Sequence, residues 1–348
     1  MVRVRASLSQ LPAYVPGRKQ PGAIVLASNE SPYGLLPGVA RTLAEAVGGV
    51  SRYPDLHAGS LVETLAAHHG VEPDRIAVGA GSSEVCGQLL HTVVGPGDEV
   101  VFGWRSFEAY PILTAVAGGT AVPVPLRDHA LDLDAMAAAI TDRTRLVFVC
   151  NPNNPTSTAV GARALTDFAD RVPRNVLIVV DEAYREYADP ARVPDGLALL
   201  GDRPNVAVLR TFSKAYGLAG LRVGYCVAPP GIAAHVRRTQ VPFSVSALAQ
   251  RAAVVALGEG AEVARRAALT VAERDRVSAR LRALGHDVPD SGSNFVWLPL
   301  GDGSAEFARH CADGNVVVRP FPGEGVRVTI GLPEENDAFL ALAASPRG

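Results

Sequence analysis

Lysine occurs only twice in this 348-residue chain, at Lys19 and Lys214, so all but two of its 33 basic residues are arginine. Arginine keeps its proton in proteins, whereas a buried lysine can lose it and form a Schiff base with an aldehyde. Lys214 stands in Thr211-Phe-Ser-Lys-Ala-Tyr-Gly-Leu-Ala-Gly-Leu-Arg222, straight after an apolar run over 205–210 that reads as a short buried strand. Its small and hydroxyl-bearing neighbours, with an arginine eight residues on, favour a catalytic amine over a surface lysine. Two other apolar runs end in polar groups. The run over 146–150 leads into Asn151-Pro-Asn-Asn-Pro-Thr156, and that over 176–180 into Asp181-Glu-Ala-Tyr184. An aspartate after five apolar residues is costly to bury unpaired. Beyond capping a helix, it suits a cationic ring nitrogen or a metal. No second carboxylate or histidine stands at metal-ligand spacing, which favours the ring nitrogen.

Three further groups fit a site for a flat, anionic molecule. A short strand over 76–78, the turn Gly79-Ala-Gly-Ser-Ser83 and a helix over 84–94 make an anion site, because free N–H groups and the helix dipole face the ligand. A phosphate suits it. A dinucleotide fingerprint would need its third glycine at position 84, which is Glu84. The aromatics of Gly103-Trp-Arg-Ser-Phe-Glu108 could stack on a planar ring or simply belong to the core. Arg319 and Arg327, each on or just after a predicted strand, could together grip a carboxylate or phosphate.

The elements that must hold these groups alternate. Strands are predicted over 76–78, 99–102, 121–124, 146–150, 176–180 and 205–210, and helices over 38–46, 60–69, 84–94, 133–140 and 162–172. That alternation predicts an α/β fold: a three-layer, mainly parallel sheet with helices on both faces. Ligands of such sheets sit beyond the carboxyl ends of the strands. After Pro242 come helices over 244–257 and 261–284, strands over 294–298, 316–318 and 326–330, and a helix over 334–344, which predict a smaller C-terminal α/β domain. The expected division is an arm over 1–30, broken by prolines and glycines, a large ligand-binding domain over 31–242, and a small domain over 243–348.

With 48% hydrophobic and 20% charged residues and a net charge of −2, nothing draws the chain to nucleic acid or an anionic membrane. No apolar run is long enough to span a bilayer, and the first twenty residues lack the apolar core of a secretory signal. Cys86, Cys150, Cys226 and Cys311 are widely spaced, which predicts free thiols in a reducing cytoplasm and no metal site.

In their order, these motifs resemble the fold-type I pyridoxal-phosphate aminotransferases, and within them the histidinol-phosphate aminotransferase group. The matching pieces include Asn29-Glu-Ser-Pro, Arg52-Tyr-Pro-Asp, Asn151-Pro-Asn-Asn-Pro-Thr, Asp181-Glu-Ala-Tyr, Ser213-Lys-Ala-Tyr-Gly-Leu-Ala-Gly-Leu-Arg-Val-Gly and Gly325-Val-Arg-Val-Thr. Gly-Trp-Arg-Ser-Phe-Glu and Asn-Pro-Thr-Ser are closer to the group's aromatic branch. The resemblance implies that Lys214 holds the cofactor and shuttles the substrate proton, and that Asp181 keeps the pyridine nitrogen protonated. It implies hydrogen bonds from Asn154 and Tyr184 to the ring oxygen, and stacking by Phe107. The phosphate would meet Gly81, Ser82, Ser83, Thr211, Ser213 and Arg222, with Tyr53 reaching in from a second subunit of a homodimer. Arg327 would bind the substrate carboxylate, with Tyr14, Asn29 and Arg319 nearby. Ser157 stands where many relatives carry glycine, Ser83 where aspartate is common, and Phe107 where tyrosine is frequent. The implied activity is ping-pong transamination of aromatic amino acids with 2-oxoglutarate. Histidinol phosphate is the alternative amino donor. A regulator that binds the cofactor without turnover and a nucleotide-dependent dehydrogenase stay open. Against the first stands the lack of a separate DNA-binding segment, and against the second Glu84.

Overall fold

The computed structural model describes Val2 and residues 22–201 and 203–344. Its strands are β1 (Ile24–Leu26), β2 (Ile76–Gly79), β3 (Glu99–Trp104), β4 (Thr120–Pro125), β5 (Thr144–Cys150), β6 (Leu177–Asp181), β7 (Val206–Thr211), β8 (Gly224–Val227), β9 (Phe295–Leu298), β10 (Val316–Phe321) and β11 (Gly325–Thr329). Seven form one sheet in the order β2-β8-β7-β6-β5-β3-β4. All its pairings are parallel except the two made by β8, which runs against β2 and β7. The strands read as unbroken apolar runs because both faces are covered. Val101, Val147, Val149, Ile178, Val180, Val206 and Val208 pack into one core layer, and the residues between them, including Phe102, Phe148, Val179, Ala207 and Leu209, into the other. Helices Ser82–Val93 and Pro230–Arg238 pack on the second face, and Gly59–His69, Ala162–Arg171 and Ala247–Gly258 on the first.

From β3 the chain moves outward to β4, then returns past β3 to β5. Connections thus leave β3 and β5 in opposite directions, which opens a crevice beyond their carboxyl ends. The polar ends of β5, β6 and β7 face that crevice.

The second sheet has the order β1-β10-β11-β9 and its own core of Val296, Leu298, Phe307, Val316, Val326, Val328 and Phe339. Residues 24–26, expected within an irregular arm, pair in parallel with β10. The run is only three residues long, too short to show a period among so many breakers. Helix Ala247–Gly258 lies in the stretch assigned by sequence to the small domain. Its Ala249, Ala252, Ala253 and Ala256 are buried in the core of the large sheet, against helices Pro37–Ala46 and Gly59–His69. All four cysteines are buried free thiols. Among the described residues, no helix is long and apolar enough to cross a membrane.

Candidate active site

The crevice holds a cavity of about 220 Å³. Asp181, the last residue of β6, reaches its floor and is buried. The Tyr110 hydroxyl donates to its Oδ2 at 2.7 Å and the Ala183 N–H to its Oδ1 at 3.3 Å. Burial pushes the Asp181 carboxyl up to about 6, against these two hydrogen bonds, which lower it. Lys214 lies three residues beyond the end of β7. Its Nζ donates to the Ser28 carbonyl at 3.2 Å and sits 5.9 Å from the Tyr184 ring centre. Burial first of all, and then the Arg327 and Arg222 charges, bring the amine down to about 7 against the opposing charge of Glu30. A carboxylate pushed up and an amine pushed down in one cleft are the mark of acid–base chemistry.

One end of the cavity is an anion cradle. Helix Ser82–Val93 starts after Gly81, whose backbone is left-handed at φ 84° and offers no side-chain cap. A Cβ on Gly81 would lie 2.2 Å from Arg222 Nη2, and one on Gly224 would lie 2.3 Å from the Ser82 nitrogen, so both positions require glycine. Arg222 Nη1 donates to Ser213 Oγ at 3.3 Å and to the Ala219 carbonyl at 3.0 Å. Ser82, Ser83, Thr211 and Ser213 complete that end. Glu84 turns back, and its carboxylate accepts from the Ala80 N–H, closing the turn from within. Phe107 lines the wall, edge-on to Tyr110 with ring centres 5.5 Å apart. Ser106 Oγ donates to Asn153 Oδ1 at 2.6 Å, and Asn153 Nδ2 donates to the Arg105 carbonyl at 3.0 Å. These bonds tie the Phe107 segment to the loop bearing Asn154.

The opposite end comes from the second sheet. Arg327 is buried, and its Nη1 donates to Asn154 Oδ1 and its Nη2 to the Ala27 carbonyl, both at 2.6 Å. Asn29, with φ 55°, donates from Nδ2 to Tyr184 Oη at 2.9 Å; its N–H donates to Thr329 Oγ1 at 2.9 Å. Burial drives the Tyr184 hydroxyl well above its usual range, so it stays a neutral donor. Arg319 lines the cavity and pairs with Glu108 at 2.9 Å.

The structure therefore gathers Lys214, Asp181, Tyr184, Asn154, Phe107, Ser82, Ser83, Thr211, Ser213, Arg222, Asn29, Arg319 and Arg327 around one cavity, with Gly81 against Arg222. Tyr53 is not among them: it is 83% exposed and stacks on Phe243 with ring centres 4.7 Å apart. Tyr14 lies outside the described residues. Sequence reasoning missed Tyr110 and Glu108. Both follow Phe107 beyond the carboxyl end of β3, the rule that exposed Asp181, but no apolar run leads directly into them.

A crevice beyond a parallel sheet, a buried carboxylate, a lowered amine and an anion cradle are the setting of an aldehyde-cofactor transferase. The family model for aminotransferase class I and II matches residues 21–341, and the chain belongs to that family. It is 54% identical over 344 residues to an aromatic amino acid aminotransferase of Thermobifida fusca (strain YX), covering 98% of this chain and 96% of that protein. It is 54% identical over 345 residues to one from Streptomyces avermitilis, covering 98% and 96%. Its fold matches the crystal structure of histidinol-phosphate aminotransferase from Sinorhizobium meliloti in complex with pyridoxal-5'-phosphate, with a TM-score of 0.90, 30% identity and coverage of 99% and 97%. The protein is an aminotransferase of the fold-type I architecture.

Proposed function

We propose that the protein transaminates aromatic amino acids, phenylalanine and tyrosine above all and tryptophan with them, against 2-oxoglutarate, using pyridoxal phosphate. The observation that carries this reading is the pairing of Lys214, its amine near 7, with Asp181, its carboxyl near 6, across one cavity that ends in an anion cradle. The donor set fits the cofactor: an amine for its aldehyde, a carboxylate for its ring nitrogen, and backbone N–H groups, hydroxyls and a guanidinium for its phosphate. When bound, pyridoxal phosphate supplies the electrophilic aldehyde and the cationic ring that draws electrons from the substrate Cα.

Lys214 Nζ would hold the cofactor's aldehyde, and the same nitrogen would take and return the substrate Cα proton. An amine near 7 is half neutral at neutral pH, which suits both directions. Asp181 gives its charge to the ring nitrogen, which repairs its own costly burial. Tyr184 and Asn154 would hold the ring oxygen, and Phe107 would pack against the ring. Gly81, Ser82, Ser83, Thr211, Ser213 and Arg222 take the phosphate. Arg327 would take the substrate carboxylate, with Asn29 and Arg319 around it. The two half-reactions share this site, so the kinetics are ping-pong.

We read the active form as a cytoplasmic homodimer in which Tyr53 of each chain reaches the other's phosphate. Support comes from the exposed Tyr53–Phe243 stack, with Val50 and Val241 exposed close by in the chain. The 31–242 and 243–348 division remains our proposal for the two domains. The aromatic reading rests on relatives at 54% identity, against 30% for the histidinol-phosphate enzyme. Borohydride reduction and peptide mapping test the cofactor: a pyridoxyl adduct at Lys214 is expected, and its absence ends the proposal. Comparing kcat/KM for phenylpyruvate and imidazole-acetol phosphate tests the substrate; a preference for the phosphate of about a hundredfold, roughly 2.7 kcal/mol, rejects it.

A further inference from the structure

Arg319 and Arg327 stand directly opposite each other on the antiparallel pair β10–β11, so both side chains leave the same face of the hairpin. Like charges so placed repel, and each needs compensation. They receive it differently. Arg327 donates to the Asn154 side chain and to the Ala27 carbonyl, and is the guanidinium read above as holding the substrate carboxylate. Arg319 meets a carboxylate, Glu108, at 2.9 Å. Glu108 precedes helix Ala109–Ala117, where an acid commonly turns to that helix's own N–H groups, yet its side chain makes no such bond. It reaches instead from the large sheet to the small one, and both partners line the cavity.

We propose that Glu108 determines donor specificity by withholding Arg319 from any second anion that enters the cavity. The inference rests on the aminotransferase reading given above. A donor with an uncharged side chain needs one guanidinium, and Arg327 supplies it. A donor or acceptor with a second anion must displace the Glu108 carboxylate from Arg319 before it gains that contact. Glu108 therefore disfavours dicarboxylic substrates relative to aromatic ones, and the 2-oxoglutarate half-reaction carries the same cost.

A second ion pair separates this role from a merely structural one. Arg105 Nε donates to Glu324 at 3.0 Å, joining the same two segments through a different pair of residues. If Glu108 only fastened the segments, loss of Glu324 would act alike.

The test compares the holoenzyme with Glu108→Gln, Glu324→Gln and the double variant Glu108→Gln/Arg319→Gln. In Glu108→Gln, the ratio of kcat/KM for glutamate to that for phenylalanine is expected to rise about tenfold, mainly through KM, with a fall in KM for 2-oxoglutarate. The double variant loses that gain, and Glu324→Gln leaves the ratio where it was. An unchanged ratio in Glu108→Gln, an equal rise in Glu324→Gln, or a gain that survives in the double variant overturns the proposal. Calorimetric binding of inorganic phosphate gives a readout independent of turnover. It is expected to tighten in Glu108→Gln and to revert in the double variant. Should the wild type turn over none of these substrates, the aminotransferase reading of the site fails, while the phosphate series still decides whether Glu108 screens Arg319.

Discussion

The two ends of the cavity are built by different means. On the large-sheet side, Asp181, Lys214 and the Ser82–Ser83 turn sit at or just past strand ends, each fixed by the strand that leads into it. On the small-sheet side, Arg327 and Asn29 are held by bonds between residues far apart in the chain, Asn29 to Tyr184 and Thr329, Arg327 to Asn154 and Ala27. The first side is a rigid floor bearing groups with shifted proton affinities. The second is a clamp whose position depends on how the two sheets meet. Chemistry belongs to the floor and recognition to the clamp, so damage to each should appear in different kinetic constants.

The largest effect is expected from the floor. Lys214→Ala removes the proposed covalent anchor and proton carrier, and should lower kcat by at least about 10⁴-fold. Single-turnover kinetics with phenylalanine measure it. A variant that retains a tenth of the wild-type rate would take Lys214 out of the chemistry.

The clamp should respond less and in another constant. Arg327→Gln removes the buried guanidinium assigned to the substrate carboxylate, and should reduce kcat/KM for amino donors by about 10²- to 10³-fold, chiefly through KM. It also takes away a positive charge that helps to lower the Lys214 amine. The pKa of that amine should therefore rise above about 7 in the cofactor-free variant, as amine-modification rates against pH would report. A loss confined to kcat, with KM unchanged, would erase the distinction between floor and clamp.

The same division explains what the sequence made legible. Asp181 and Lys214 stood out because an apolar run that ends abruptly in a polar group is a local signal, and a parallel sheet aligns such ends without further information. The central strands β3, β5, β6 and β7 of the large sheet, largely buried, were visible for the same reason, whereas β8 was not read from the sequence. Asn29 carries no local mark, and Arg327 only its place on a predicted strand, which suggested an anion grip without saying where. The bonds that place them join residues 300 positions apart, Arg327 to Ala27 and Asn29 to Thr329. β1 escaped notice because three residues have no period, and helix Ala247–Gly258 was credited to the wrong core because an alanine-rich face does not say which sheet it covers. Glu108 and Tyr110 lie in a loop and in the first turn of a helix, where composition says nothing about the cavity.

Tyr110 offers the finest test of the floor, because its hydroxyl donates directly to Asp181 and makes none of the clamp's bonds named above. Its O–H lowers the Asp181 carboxyl against burial, which lifts it from its ordinary 3.8 to about 6. In the cofactor-free protein a raised folded-state pKa means that this group's stabilising contribution is complete below about 3.8 and is lost as pH rises through about 6. Tyr110→Phe should raise the carboxyl further and move that loss to higher pH. At pH 5 both proteins hold a protonated Asp181 and should differ little. At pH 8 the variant must bury the carboxylate with one charge-assisted donor fewer, at about 1.5–3 kcal/mol. Urea unfolding of the two cofactor-free proteins between pH 5 and 8 measures the difference. A gap of the same size at both ends of that range would mean that Tyr110 packs against Asp181 without tuning its charge.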